Sequence, residues 1–145
     1  MARVSTYLNF KGNTEEAFAF YRDVFGTDYP QPLQRMGEVA PPPGAELSDA
    51  DKNLVLHVEL PILAGHVLMG TDIVESMGMD LRIGNNTTIN LEPDTKAETE
   101  RLFNALSEGG TDINPLQQMF WGALWGTCLD RFGIRWMFNF VEPTA

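Results

Sequence analysis

Apolar and polar residues alternate from Val4 to Phe10, with Val4, Thr6, Leu8 and Phe10 on one side and Ser5, Tyr7 and Asn9 on the other. A period of two is that of a strand with one packed face. Lys11-Gly12 ends it. Asn13, with Glu16 three places on, has the form of a capping box. Ala17, Phe18, Tyr21, Val24 and Phe25 then recur at helical spacing, so a helix is predicted to about Phe25, closed by Gly26. Asp28 to Val39 reads as an edge or bulged strand, because Pro30 and Pro32 cannot donate to a ladder. The Pro-rich, then acidic stretch from Ala40 to Asp51 reads as a loop, a mobile flap or a plain connection. Strands are predicted at Asn53 to Leu60 and His66 to Thr71. A Met- and Gly-rich connection follows from Asp72 to Asn85, in which Met77-Gly78-Met79 could serve as an adaptable lid.

Thr87 to Leu91 alternates again. Pro93-Asp94-Thr95 opens a second helix, with Ala97, Leu102, Ala105 and Leu106 on its apolar side and Gly109-Gly110 ending it. Strands are predicted near Thr111 to Met119 and Ala123 to Leu129. In Asp130-Arg131-Phe132-Gly133, Asp130 can bond the backbone two residues on and Gly133 can take positive φ, so a tight turn is expected. The last strand, Ile134 to Val141, places Ile134, Trp136, Phe138 and Phe140 on one face and Arg135, Met137, Asn139 and Val141 on the other.

The order of elements repeats. Leu8-Asn9-Phe10, a cap, a helix and Gly26-Thr27-Asp28 are echoed by Ile89-Asn90-Leu91, a cap, a helix and Gly110-Thr111-Asp112. The offset is about 81 residues and widens by about three within the helix, the mark of a duplicated unit. Each half reads strand, helix, strand, strand, strand.

At 145 residues the chain is expected to form a single domain, residues 1–145, with repeats near 1–75 and 85–145. A net charge of −10 argues against nucleic acid and anionic membrane as partners. No apolar run reaches membrane-spanning length. The chain opens on a strand pattern and not on a charged-then-apolar leader, so a cytoplasmic location is expected. Cys128 is the only cysteine, which removes an intrachain disulfide and any multi-Cys zinc site. It reads as a buried, inert thiol.

Tyr7-Leu8-Asn9-Phe10, Glu16-Ala17-Phe18, His57-Val58-Glu59-Leu60 and Leu68-Met69-Gly70-Thr71-Asp72 resemble the PhnB-like branch of the vicinal oxygen chelate superfamily. So does Phe120-Trp121-Gly122 through Asp130-Arg131-Phe132-Gly133-Ile134-Arg135-Trp136, the most specific of these series. Glyoxalase I, extradiol dioxygenases and bleomycin- and fosfomycin-resistance proteins belong to that superfamily. The resemblance implies an α+β fold of two βαβββ repeats, with cup-shaped mixed sheets and helices outside, and it implies a homodimer. It also implies metal ligands on the first and fourth strands of each half. The equivalent positions here are Ser5, Met69, Thr88 and Met137, none a good ligand for a divalent ion. No cofactor is therefore expected, and a divalent metal only at a non-standard site, such as His57 and His66 with Glu59 or Asp72. Some members of the branch carry a ubiquinone-methyltransferase label, but the Gly-rich strand-to-helix turn of doubly wound methyltransferases does not occur in this chain.

His57 and Glu59 share one strand face, and a carboxylate beside an imidazole suits a general base. A structural His beside a solvated Glu would have the same spacing. Ser5, Tyr7, Asn9, Thr88, Asn90, Arg135, Met137 and Asn139 lie opposite apolar strand faces, where a curved sheet would present them to a ligand. Trp121 adds a flat face and an N–H donor for an apolar, partly aromatic ligand, although all three tryptophans could equally be core. Arg135 could hold a carboxylate or phosphate, or pair with Asp130 or Glu142. The expected function is small-molecule binding without the superfamily's metal. The alternative is an enzyme that uses a non-standard metal site or His57 acid–base chemistry.

Overall fold

The computed structural model describes residues 1–41, 43–44 and 46–144. The chain divides into two compact units, Met1–Arg82 and Ile83–Ala145.

In the first unit, β1 (Thr6–Phe10) leads into helix α1 (Thr14–Phe25), followed by β2 (Gln34–Arg35), the short helix α2 (Asp49–Lys52), β3 (Val55–Pro61) and β4 (Val67–Asp72). The sheet order is β1-β4-β3-β2. β1 runs parallel to β4, and β3 is antiparallel to both β4 and β2. Register pairs Leu8 with Gly70 and Gly70 with Val58, which puts these residues on one face with Leu60, Leu68 and Phe10. That face packs on α1 through Ala17, Phe18, Tyr21 and Val24, all buried. The Phe18 ring stands over Gly70 so closely that a Cβ there would collide with it. Phe10 and Phe18 meet edge to face, a favoured aromatic geometry.

The helix ends show where local reading works and where it stops. Gly26 closes α1 at φ 64°, ψ 31°, its N–H donating to the Arg22 carbonyl at 2.9 Å. The capping box expected at Asn13 does not form, since Asn13 makes no side-chain cap bond. Asp72, at the end of β4, takes that role. It accepts the Thr14 backbone N–H at 3.1 Å and the Thr14 hydroxyl at 2.6 Å. An ionised acceptor from a neighbouring strand outcompetes the neutral local amide for the same orphan donors.

Between Asp28 and Val39 only Gln34 and Arg35 form strand, and a 3-10 turn follows at Met36–Glu38. The loop after it is not wholly irregular, because Ser48 accepts the Asp51 N–H at 3.1 Å and caps α2. Pro42 and Ala45 of the expected flap lie outside the described residues. In the Met-rich connection the Val74 N–H donates to Met79 Sδ at 3.3 Å, while Met77 and Met79 are exposed.

The second unit repeats the plan with β5 (Ile89–Leu91), α3 (Lys96–Ser107), β6 (Thr111–Gln118), β7 (Ala123–Leu129) and β8 (Arg135–Val141). Its sheet order, β5-β8-β7-β6, is again first, fourth, third, second, with β5 parallel to β8. The α+β class and the two βαβββ halves expected from the sequence are both present. Thr95 caps α3 by accepting the Glu98 N–H at 3.1 Å. Thr99, Leu102, Phe103 and Leu106 form its buried stripe. Ala97 was expected there and is exposed. Two residues before Thr99, it is turned by about 200° from the stripe. Phe103 packs instead, edge to face on Phe138.

Asp130 builds the β7–β8 turn. Its Oδ1 accepts the N–H groups of Phe132 at 2.8 Å and Ile134 at 3.0 Å, and Gly133 takes φ 89°. Its Oδ2 accepts the indole N–H of Trp136 at 2.8 Å. Trp136 is fully buried, with Phe138 and Cys128 on the same face. Burial, and then the charge of Asp130, push the Cys128 thiol up to about 12, so at neutral pH it is a protonated packing group. Among the described residues no helix is long and apolar enough to cross a membrane.

Candidate functional site

Each sheet has one face turned away from its helix, and the candidate residues divide between these two faces. In the first unit, alternation along β1, β3 and β4 sends Tyr7, Asn9, His57, Glu59 and Met69 away from α1, with Ser5 just ahead of β1. The Ser5 hydroxyl lies 3.7 Å from Met69 Sδ. Tyr7 Oη lies 3.5 Å from His57 Nδ1, and His57 Nε2 lies 3.3 Å from Glu59 Oε1. Arg3 approaches the same carboxylate oxygen at 3.7 Å. Tyr7, a ligand candidate in the sequence, is thus joined to the His57–Glu59 pair, and Arg3 is a member that local patterning did not mark. A small open pocket of about 130 Å³ borders this group, lined by Gln31, Pro32, Gln34, His57, Val58 and Glu59.

His66 does not join it. Its Nε2 is 2.8 Å from the Thr6 hydroxyl, on the side of β1 that faces α1. Asp72 is buried and committed to Thr14 and to the Val55 N–H. His57, His66, Glu59 and Asp72 are therefore not brought together. Among the described residues no three His, Cys, Asp or Glu side chains form a group that could hold a metal ion.

In the second unit, Arg135, Met137 and Asn139 of β8 face away from α3. Register places Asn90 of β5 and Thr127 of β7 beside Met137, and Trp125 beside Asn139. Glu92 gathers the two amides, Asn90 Nδ2 donating to Oε2 at 3.2 Å and Asn139 Nδ2 to Oε1 at 3.3 Å. The sequence suggested Asp130 or Glu142 as the partner of Arg135, and Arg135 pairs with neither. Asp130 is consumed by its own turn and by Trp136, and Arg135 meets Asp112 of β6 instead, Nη2 to Oδ2 at 3.5 Å. Asp112 sits at φ 47°, where β6 shifts register against β7. The bulge re-aims its side chain. Arg135 Nε is buried and has no hydrogen-bond partner among the described residues, an arrangement that costs about 1–3 kcal/mol for a buried polar donor.

Thr88 precedes β5 and is exposed. Trp121 is not on this face. It lies in the β6–β7 turn, 50 % exposed, beside the almost fully exposed Phe120. The aromatic residue of the sheet face is Trp125. Its signal was present, since Trp125, Thr127 and Leu129 alternate with buried Leu124, Gly126 and Cys128.

The metal positions implied by the superfamily fail on donor chemistry. Ser5 and Thr88 offer neutral hydroxyls, and Met69 and Met137 offer thioethers that prefer soft ions. The residues present do not fit a divalent ion, and no chemical step follows through one.

The sequence profile of the 3-demethylubiquinone-9 3-methyltransferase family matches residues 2–138. Protein YjdN of Escherichia coli K12 is 30% identical over 149 aligned positions, covering 97% of this chain and 98% of that protein. The crystal structure of PA1353 from Pseudomonas aeruginosa superposes with a TM-score of 0.83 at 33% identity, covering 99% of this chain and 100% of that one. A glyoxalase/bleomycin resistance protein/dioxygenase family enzyme from Burkholderia phytofirmans shares the fold at TM-score 0.60 and 19% identity, covering 94% and 97% of the two chains.

Proposed function

The chain belongs to the 3-demethylubiquinone-9 3-methyltransferase family, the PhnB-like branch of the glyoxalase and bleomycin resistance superfamily, and from that membership we propose that it is a cytoplasmic small-molecule-binding protein. One observation carries the reading. In both halves the sheet face without a helix is set with aromatic, amide and hydroxyl side chains, Tyr7 and Asn9 in one and Asn90, Trp125 and Asn139 in the other, while the opposite faces are filled. Such a mixture of flat apolar surface and a few placed polar groups is what small-ligand sites are made of.

The family's name speaks of methyl transfer, which this reading does not adopt. The strand-to-helix turns here are Lys11-Gly12-Asn13 and Glu92-Pro93-Asp94-Thr95. Neither is the Gly-rich turn with which doubly wound enzymes approach a nucleotide cofactor.

The test is a fragment screen followed by NMR on isotope-labelled protein. Shifts are expected to concentrate on one of the two helix-free faces, at Tyr7 and Asn9 or at Asn90, Trp125 and Asn139. Shifts scattered over the helices, or none from a chemically diverse set at millimolar concentration, would overturn the reading. Elemental analysis of protein purified without chelator is expected to give less than about a tenth of an equivalent of divalent metal, given the hydroxyl and thioether donors.

A second reading, acid–base catalysis, is favoured by the 3.3 Å approach of Glu59 to His57. It requires a turnover that disappears in folded His57→Ala protein, and a ligand that is bound but never converted argues against it.

The same proposal includes a homodimer, supported by the exposed Phe120 and Trp121, since large apolar groups on one exposed turn are typical of contact surfaces. Sedimentation at micromolar concentration should give twice the mass of one chain. A single-chain mass that does not rise with concentration rules the dimer out.

A further inference from the structure

Four basic residues lie between positions 83 and 144. Lys96 and Arg101 lie on α3, and Arg131 donates to the Glu108 carbonyl at 3.2 Å from the β7–β8 turn. Only Arg135 stands on the helix-free face of the second sheet. The Nε–Nη2 edge of its guanidinium is half used. Nη2 and Nε belong to the same edge of the group, the edge that suits both oxygens of one carboxylate. Asp112 reaches only Nη2, through one oxygen at 3.5 Å, and among the described residues Nε meets no acceptor.

The carboxylate in that place is held poorly. The Asp112 side chain is 67% exposed, so water competes for it. Its backbone is in the left-handed region at φ 47°, which Asp tolerates better than most residues but does not favour. The chain has put an acid against Arg135 without giving it the two-bond seat that the guanidinium can offer.

From Arg135 the strand continues through Met137, a half-buried thioether, to Asn139 with Trp125 beside it. Four residues of strand span about 13 Å. The cation is therefore followed along the face by an apolar, polarisable surface and then by an amide and an indole.

We propose that this face of the second sheet binds an organic monocarboxylate with an apolar or aromatic body, and that Asp112 is an internal stand-in for its carboxylate. The proposal rests on the ligand-binding role given above and names the chemical class of the ligand. The incoming carboxylate takes the Nε–Nη2 edge, Asp112 turns to solvent, and the body of the ligand lies over Met137 toward Trp125. A monoanion suits the site better than a dianion because Asp112 and Glu92 remain nearby in a chain of net charge −10.

Cinnamate and its neutral amide, cinnamamide, are the probes, titrated by NMR into the full-length protein and its Asp112→Asn and Arg135→Gln variants. Cinnamate should shift the resonances of Arg135, Met137 and Asn139. Asp112→Asn should tighten cinnamate by about threefold or more, because the competing charge is gone, and leave cinnamamide unchanged. Arg135→Gln should weaken cinnamate by about tenfold or more. Asp112→Gly, which suits positive φ, serves if the Asn variant does not fold. Unchanged or weaker cinnamate binding on removal of the Asp112 charge overturns the proposal. So does equal binding of the two probes, or binding confined to the first sheet, and either of these leaves the ligand-binding function standing. If neither probe nor any fragment binds either face, both readings fall.

Discussion

Asp130→Ala should destabilise the protein by about 3–4 kcal/mol in urea unfolding, as the loss of charge-assisted bonds and a stranded buried donor implies. Asp130 is 3% exposed, and its two oxygens accept from the Phe132 and Ile134 N–H groups and the Trp136 indole. The N–H groups of Phe132 and Ile134 are only partly buried and can regain water. The Trp136 indole N–H cannot, since Trp136 has no exposed surface. Asp130→Asn separates these contributions. Its amide oxygen can still accept the two turn N–H groups, but the amide NH₂ then faces the indole N–H, donor against donor. About half of the loss is therefore expected. An Asp130→Ala protein within about 1 kcal/mol of the parent would mean that the turn and the indole find other partners, contrary to this account.

Asp72→Ala should be of similar size, about 3 kcal/mol, because one buried carboxylate again answers several donors. It takes the Thr14 N–H at 3.1 Å, the Thr14 hydroxyl at 2.6 Å and the Val55 N–H at 2.8 Å. It is the cap of α1, and its charge lies at the positive end of the helix dipole. It also ties that helix end to the start of β3. Thr14→Val, which keeps the shape and loses the hydroxyl, should cost less, about 1–2 kcal/mol. The two changes together should cost less than their sum, since Thr14→Val has nothing left to remove once the acceptor is gone. Strict additivity in that double-mutant cycle would show that the hydroxyl and the carboxylate are not energetically coupled.

Alternation within a few residues was enough to locate β1, β3, β4, β7 and β8 and to divide Arg135, Met137 and Asn139 from Trp136 and Phe138. Helical spacing and glycine placement fixed α1 and its end at Gly26, and the repeated order of elements revealed the two halves. These features are legible because they depend on near neighbours. A strand with one packed face must have period two, and a positive φ must have glycine or a tolerant residue within the turn itself.

The Asp130 bond to the Phe132 N–H was legible because it lies within one turn, but long-range hydrogen-bond partners were not, because they depend on which strand lies beside which. β1 pairs with β4 and β5 with β8, each across the whole length of a half. That order brings Asp72 to Thr14, 58 residues away, and displaces the local cap at Asn13. It carries His66 to Thr6 and away from His57. The bulge in β6 sends Asp112 to Arg135, which sequence proximity would have given to Asp130 or Glu142. Trp121 and Trp125 are four residues apart in one motif, yet the turn between β6 and β7 puts the first at an exposed tip and the second on the sheet face. Periodicity decides which way a side chain points, while the strand order decides what it meets there.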